Sequence, residues 1–254
     1  QAAEDRVYGL VTKIKKTNPK VKIIITGCLS DRLDVRRRLK KYVDVWLPIS
    51  EIPNLKFQIS NNFQNTKKGT QKNQRLGKNY LSIIPKYSSK FTSFVPIGNG
   101  CDNFCAYCVV PYARGGEEYR LAEEILAEVK NLVKKGYKEI ILIAQNVNSY
   151  KSEIRNPKQI KNPKRKLINF SNLLRMVNNI SGNFWIRFAT SHPKDMSDEL
   201  IKTIAACEKV CRHIHLPAQA GDNEVLRRMN RKYTIEHYKK LIVKIRQKIK
   251  NQKS

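Results

Sequence analysis

The chain has 254 residues, 41% of them hydrophobic, which is enough for a sizeable core in one or two domains. It carries 50 Lys and Arg against 21 Asp and Glu, a net charge of +29 that favours a polyanionic partner, with RNA the default candidate. No apolar run approaches the roughly eighteen residues of a membrane span, and the start Gln1-Ala2-Ala3-Glu4-Asp5 has no signal-peptide core. A cytoplasmic protein without a membrane partner is expected, and the first residue, not being Met, suggests an incomplete chain.

Residues 1–57 read as the remainder of an α/β domain. Val7, Leu10, Val11 and Ile14 recur at helical spacing. Val21–Thr26 is a β-branched run suited to a buried parallel strand, ended by Gly27-Cys28. Val35 and Leu39 belong to a basic helix, and Val43–Leu47 forms a second strand closed by Pro48. Two strands need further partners, so part of this domain is expected before Gln1. Residues 58–90, rich in Asn, Gln, Lys and Ser, read as a linker. Residues 151–166 have a similar composition and read as a surface loop.

From residue 91 the pattern is β/α repetition. Phe94–Ile97 is a strand running into Gly98-Asn99-Gly100-Cys101. Leu121, Ile125, Leu126, Val129, Leu132 and Val133 mark a helix, with Gly136 as its stop. Ile140–Ile143 is a strand, Leu173, Leu174 and Val177 mark a helix, and Phe184–Ala189 is a strand. Leu200, Ile201 and Ile204 mark a helix with Ser197 as N-cap. His213–Pro217 reads as a fourth strand, and a last helix follows Thr234. The alternation predicts a parallel sheet, with functional groups at the carboxyl ends of its strands. Those ends carry Cys101, Gln145–Asn148, Ser191-His192 and Gln219.

Six cysteines stand at 28, 101, 105, 108, 207 and 211. Without a secretory signal a disulfide framework is disfavoured. Cys101-Asp102-Asn103-Phe104-Cys105-Ala106-Tyr107-Cys108 offers three thiols on one loop. Iron–sulfur clusters usually have four cysteine ligands. Three would leave one iron open to chelate the amino and carboxylate groups of S-adenosylmethionine (SAM). Zinc would need a fourth Cys or His nearby, and none stands there. Cys207, Cys211, His213 and His215 invite a zinc reading too, but structural thiols beside a strand fit them better. Cys28 taken alone reads as a buried thiol.

The loop Gly100–Gly115, Arg187-Phe188-Ala189-Thr190-Ser191-His192-Pro193, His215–Gly221 and Met229–Thr234 together resemble the radical SAM methylthiotransferases. Gln145–Tyr150 is similar to the branch that makes 2-methylthio-N6-isopentenyladenosine in tRNA. The resemblance implies a partial flavodoxin-like α/β domain at 1–57, a linker at 58–90, and at 91–254 a truncated radical SAM partial barrel of parallel β/α units. It implies two [4Fe–4S] clusters in the intact protein. One is held by Cys101, Cys105 and Cys108, the other, auxiliary, has Cys28 as one of three ligands. One SAM methylates sulfur at the auxiliary cluster, and a second yields the radical that takes hydrogen from adenine C2. Implied partners are tRNA and an electron donor such as flavodoxin or ferredoxin, with the enzyme a monomer. Tyr107, Gln145, Arg187, Ser191 and Gln219 are candidates for the SAM side. Arg114, whose forked donors suit phosphate, and Asn148 are candidates for RNA. Gly116, Tyr119 and Ala220 replace a basic residue and two serines common in the family. The alternatives are methylthiotransfer to another tRNA adenosine or a ribosomal protein, and an inactive basic RNA-binding fragment.

Overall fold

The computed structural model describes residues 2–49, 51, 81, 87, 89–153 and 167–249. The chain divides into two compact units, residues 1–83 with 109–115 and residues 84–108 with 116–254. Residues 109–115, expected in the second domain, therefore group with the first. Most of the expected linker at 58–90 and most of the loop at 151–166 lie outside the described residues.

In the first unit, α1 (Ala2–Thr17) has Glu4 and Asp5 in its first turn and Lys15 and Lys16 in its last, each complementing the helix dipole. β1 (Ile24–Thr26) runs parallel to β2 (Val45–Leu47), with Ile25 opposite Trp46. Between them α2 (Leu33–Leu39) buries Val35 and Leu39 against Tyr8 and Val11 of α1. The strand expected over Val21–Thr26 is shortened because side chains engage its first backbone groups. Lys15 Nζ donates to the Val21 carbonyl at 2.7 Å, and Asp44 Oδ2 accepts from the Ile23 amide at 2.7 Å. Cys28 sits in a 3-10 turn, Gly27–Leu29, directly after β1. α3 (Val110–Arg114) belongs to this unit and packs on that turn.

The second unit is built on three parallel strands, β3 (Thr92–Pro96), β6 (Glu139–Ile143) and β9 (Trp185–Phe188), in the order β3-β6-β9. Alternate residues Val95, Ile140, Leu142, Ile186 and Phe188 are buried on one face. They meet α4 (Ala122–Lys134), α5 (Phe170–Asn178) and α6 (Asp198–Ala206) in one core. The opposite face carries Phe94, Trp185 and Arg187, all exposed. Between these elements lie the antiparallel pairs β4 (Gly98–Asn99) with β5 (Glu118–Tyr119), and β7 (Lys151–Glu153) with β8 (Leu167–Asn169). The unit ends with α7 (Asn223–Arg228) and α8 (Ile235–Lys248).

The expected caps are present. Ser197 Oγ accepts from the Leu200 amide at 3.1 Å, and Thr234 Oγ1 from the His237 amide at 3.2 Å. Gly136, at φ +91°, ends the α4 turn in a conformation that favours glycine. The expected fourth strand is different. Residues 213–217 form no strand, and the ladder beside β9 is a single parallel bridge from Ile186 to Val210. Ile186 exchanges bonds with Lys209 and Cys211, and past β9 one more contact follows, the Ser191 amide donating to the His215 carbonyl at 3.3 Å; Pro217 lacks a donor to extend it. No helix among the described residues is long and apolar enough to cross a membrane.

Candidate metal centre

β3 and β4 deliver the chain to Gly100, and residues 101–108 form a loop tied down from three sides. Asp102 Oδ1 accepts from the Glu117 amide at 3.3 Å. The Ala106 amide donates to the Met229 carbonyl at 3.1 Å, and Asn230 Nδ2 to the Phe104 carbonyl at 2.8 Å. Within the loop the Cys108 amide donates to the Cys105 carbonyl at 2.9 Å. Phe104 (φ +47°) and Asn230 (φ +55°) both hold left-handed conformations, uncommon away from glycine and frequent at functional sites.

Cys101, Cys105 and Cys108 are free thiols, each half-buried. Cys101 Sγ accepts from Asn103 Nδ2 at 3.3 Å, and Asn103 is itself buried. Cys105 Sγ accepts from Arg231 Nη1 at 3.2 Å, the same nitrogen lying 3.4 Å from Tyr107 Oη. Burial pushes the Cys101 thiol up, against the lowering effect of its bonds with Asn103. Among the described residues no three Cys, His, Asp or Glu side chains converge as ligands of one ion would. An iron–sulfur cluster instead takes each cysteine on a separate iron. Three thiols on one loop, two of them given hydrogen-bond donors, fit a [4Fe–4S] group with one iron lacking a protein thiolate. The auxiliary cluster is a different matter. Cys28 is the sole cysteine of the first unit, and a single thiol does not fit that group.

The loops after β6 and β9 are joined by the Val147 amide donating to the Thr190 carbonyl at 3.2 Å. They carry unsatisfied polar groups. Ser191, 5% exposed, has a buried Oγ without a partner. Both amide atoms of Asn148 are in the same state. Asn146 Nδ2 donates to Asp195 Oδ2 at 2.7 Å, leaving its Oδ1 buried and unpaired. Each such atom costs about 1–3 kcal/mol when left unpaired, so a concentration of them at strand ends suits a polar ligand. Beside them, burial and then the Arg231 charge lower His192 to a pKa of about 4, so it is neutral. Its Nδ1 accepts from the Lys194 amide at 3.2 Å and its ring meets Tyr233 edge-on at 5.7 Å.

The other candidates are scattered. Gln145 is half-buried just past β6. Gln219 is exposed, with φ +71°. Tyr107 is 55% exposed on the loop. Arg187 lies inside β9 rather than at its end, and its Nε pairs with Glu139 Oε1 at 2.6 Å. Arg114 ends α3. Two departures from the family pattern have structural accounts. A Cβ at Gly116 would stand 3.0 Å from Asp102 Oδ1, so glycine leaves room for that carboxylate. Tyr119 Oη donates to Glu117 Oε2 at 2.6 Å and lies 2.8 Å from Ser149 Oγ, linking β5 to the loop after β6. Nothing in the structure explains Ala220.

Sequence reasoning gave no role to Asn103, Asn146, Asn230 or Arg231. The Met229–Thr234 motif was the signal for two of them, but nothing in its spacing placed it on the cysteine loop.

The radical SAM superfamily matches residues 95–254, and the chain belongs to it. Within that class it is similar to curated proteins named tRNA-2-methylthio-N(6)-dimethylallyladenosine synthase. The one from Desulforamulus reducens is 38% identical over 266 residues, covering 99% of this chain and 54% of that relative. The one from Thermoanaerobacter pseudethanolicus is 42% identical over 264 residues, covering 97% and 52%. The one from Clostridium botulinum is 40% identical over 258 residues, covering 98% and 54%. The chain thus spans about half the length of the curated relatives it matches. Among solved structures, an apo form of the cobalamin-dependent SAM radical enzyme OxsB aligns with a TM-score of 0.60 at 13% identity. It covers 95% of this chain and 37% of that one, a likeness of fold alone.

Proposed function

We propose that the protein is a radical SAM methylthiotransferase that replaces the C2 hydrogen of N6-isopentenyladenosine in tRNA with a methylthio group. The observation that carries this is identity of 38–42% across nearly the whole chain with relatives of that name. Cys101, Cys105 and Cys108 hold the cluster on the loop after β4. When bound, a [4Fe–4S] group with an open iron chelates SAM and supplies the electron that breaks its sulfonium bond, giving a radical able to take hydrogen from carbon. The chain's own part is to hold and orient. Asn103 and Arg231 brace the cluster's sulfurs. Ser191 and Asn146, with unpaired buried oxygens, hold polar groups of SAM, together with Gln145, Gln219 and Tyr107. Arg187 is held by Glu139 and would have to exchange that partner to join them. Asn148, with both amide atoms unpaired, offers donor and acceptor to the target base, and Arg114 binds tRNA phosphate. Cys28 would be one of three ligands of a second [4Fe–4S] cluster; on its own it does not hold that group, and no step is derived through it. The enzyme is a cytoplasmic monomer, reduced by a small acidic carrier such as flavodoxin or ferredoxin, which its net charge of +29 would attract.

The test is mass spectrometry of nucleosides from isopentenylated tRNA, incubated anaerobically with the reconstituted protein, SAM and reductant. A methylthio group in place of one hydrogen on that nucleoside supports the assignment. The same gain on another adenosine, or on a ribosomal protein, moves the substrate. SAM cleavage without either contradicts methylthiotransfer.

A further inference from the structure

The donor on Cys105 Sγ is a buried cation, whereas the one on Cys101 Sγ is a neutral amide. Arg231, only 9% exposed, follows α7 in the chain and is separated from Cys105 by 126 positions. Three contacts fix it there. Its Nη1 donates to Cys105 Sγ at 3.2 Å, and Tyr107 Oη lies 3.4 Å from the same nitrogen. Its Cζ stands 5.3 Å from the centre of the Tyr233 ring. Tyr233 is in turn anchored, its Oη donating to the Ala218 carbonyl at 2.6 Å. The neighbouring residues grip the loop independently, Met229 through the Ala106 amide and Asn230 through the Phe104 carbonyl. The segment could thus hold the loop without a charged residue at 231. Burying a guanidinium there is costly, and its Nε is left without a partner.

The charge has a use if the loop carries a cluster. Reduction adds one negative charge to the iron–sulfur group. A cationic donor on a ligand sulfur draws off thiolate electron density and stabilises the reduced form more than the oxidised one. In a partly buried site that interaction is weakly screened. The guanidinium keeps its charge at any working pH. We propose that Arg231 is a positioning residue that raises the reduction potential of the cluster on Cys101, Cys105 and Cys108 by donating from Nη1 to Cys105 Sγ. It rests on the reading that the loop holds such a cluster.

The test uses the full chain, reconstituted anaerobically as wild type, Arg231→Gln and Arg231→Lys, with iron counted and EPR recorded across a dithionite-poised potential series. At fixed potential the reduced-to-oxidised ratio should fall about tenfold in Arg231→Gln, which for one electron is about 59 mV. Arg231→Lys, keeping the charge, should recover most of that difference. Equal midpoints for wild type and Arg231→Gln, at equal iron content, would overturn the proposal. Should Arg231→Gln fail to hold iron, wild-type protein with 15N-guanidino arginine decides: a nitrogen coupling to the reduced cluster supports the contact, and none overturns it. A wild type that holds no cluster removes the cluster reading itself, an outcome distinct from equal midpoints.

Discussion

Gly98→Ala probes whether the two-residue ladder β4–β5 sets the position of the cysteine loop. Gly98 lies opposite Tyr119 in that ladder. A Cβ there would stand 2.7 Å from Tyr119 Cδ1, 2.9 Å from the Glu118 carbonyl oxygen and 3.1 Å from Tyr119 Cε1. Relaxed carbon–carbon contacts are about 3.5–4.0 Å, so something must move. The ring is not free to swing. Its Oη is tied to Glu117 and Ser149, and its edge meets Tyr150 with centroids 5.4 Å apart. The carbonyl belongs to the backbone of β5. Overpacking of this kind costs about 1–3 kcal/mol. In a Tyr119→Ala background the two ring contacts disappear and the carbonyl contact remains, so the Gly98→Ala cost should shrink to roughly 1 kcal/mol without vanishing. Urea unfolding of the four proteins gives these differences. Because β4 feeds Gly100 and Cys101, iron bound per chain after anaerobic reconstitution should fall in Gly98→Ala as well. An unchanged unfolding midpoint together with unchanged iron would refute the idea that this ladder is a rigid support.

His192 is neutral in the folded state, with its pKa lowered from 6.5 to about 4 by burial and then by Arg231. The unfolded chain therefore binds a proton that the folded chain refuses. Its contribution is complete above about pH 6.5 and is lost towards pH 4 at about 1.4 kcal/mol per unit. Wild type minus His192→Gln, in unfolding free energy against pH, should show that slope, and a flat difference would contradict it. Glu128→Ala removes the carboxylate that accepts from Tyr87 Oη and, at 2.5 Å, from Arg120 Nη1, leaving that mostly buried guanidinium only its bond to the Pro96 carbonyl at 2.9 Å among the described contacts. A loss of about 3–5 kcal/mol is expected on denaturant unfolding, and one below 1 kcal/mol would mean water replaces the carboxylate. Ser197→Ala should cost about 1 kcal/mol by removing the α6 cap, with Ser197→Asp close to wild type in the same assay.

The helices were legible wherever one face is buried for two turns or more. In α4, Ile125, Val129 and Leu132 are buried, and they are the residues whose spacing predicted it. The central strand β6 was legible because Ile140–Ile143 is a continuous apolar run. Short elements were not. β4, β5, β7 and β8 are two or three residues each, and unlike the equally short β1 and β2 they lie in no longer β-branched or apolar run that would mark them. The segment 213–217 has the composition of a strand, but past the end of β9 it keeps only the bond from the Ser191 amide to the His215 carbonyl among the described backbone bonds, too little for a ladder. The run Phe184–Ala189 suggested that Arg187 stood near a strand end. Register places it opposite Ile141, two residues past Glu139 on β6, and the two charges meet on the exposed face. For the site, three identical ligands between Cys101 and Cys108 were readable because the chemistry is local in sequence. Arg231 was not. It is one of 50 basic residues, and only the fold brings it across 126 positions to Cys105.

The central claim is that the loop of Cys101, Cys105 and Cys108 holds a cluster with an iron open to SAM. The measurement that tests it most directly is iron and sulfide content with EPR, on the anaerobically reconstituted chain reduced with and without SAM. The account predicts a [4Fe–4S] signal that SAM perturbs, that Cys105→Ala abolishes, and that Cys207→Ala with Cys211→Ala leaves intact. A cluster indifferent to SAM, or one that survives Cys105→Ala, would contradict it.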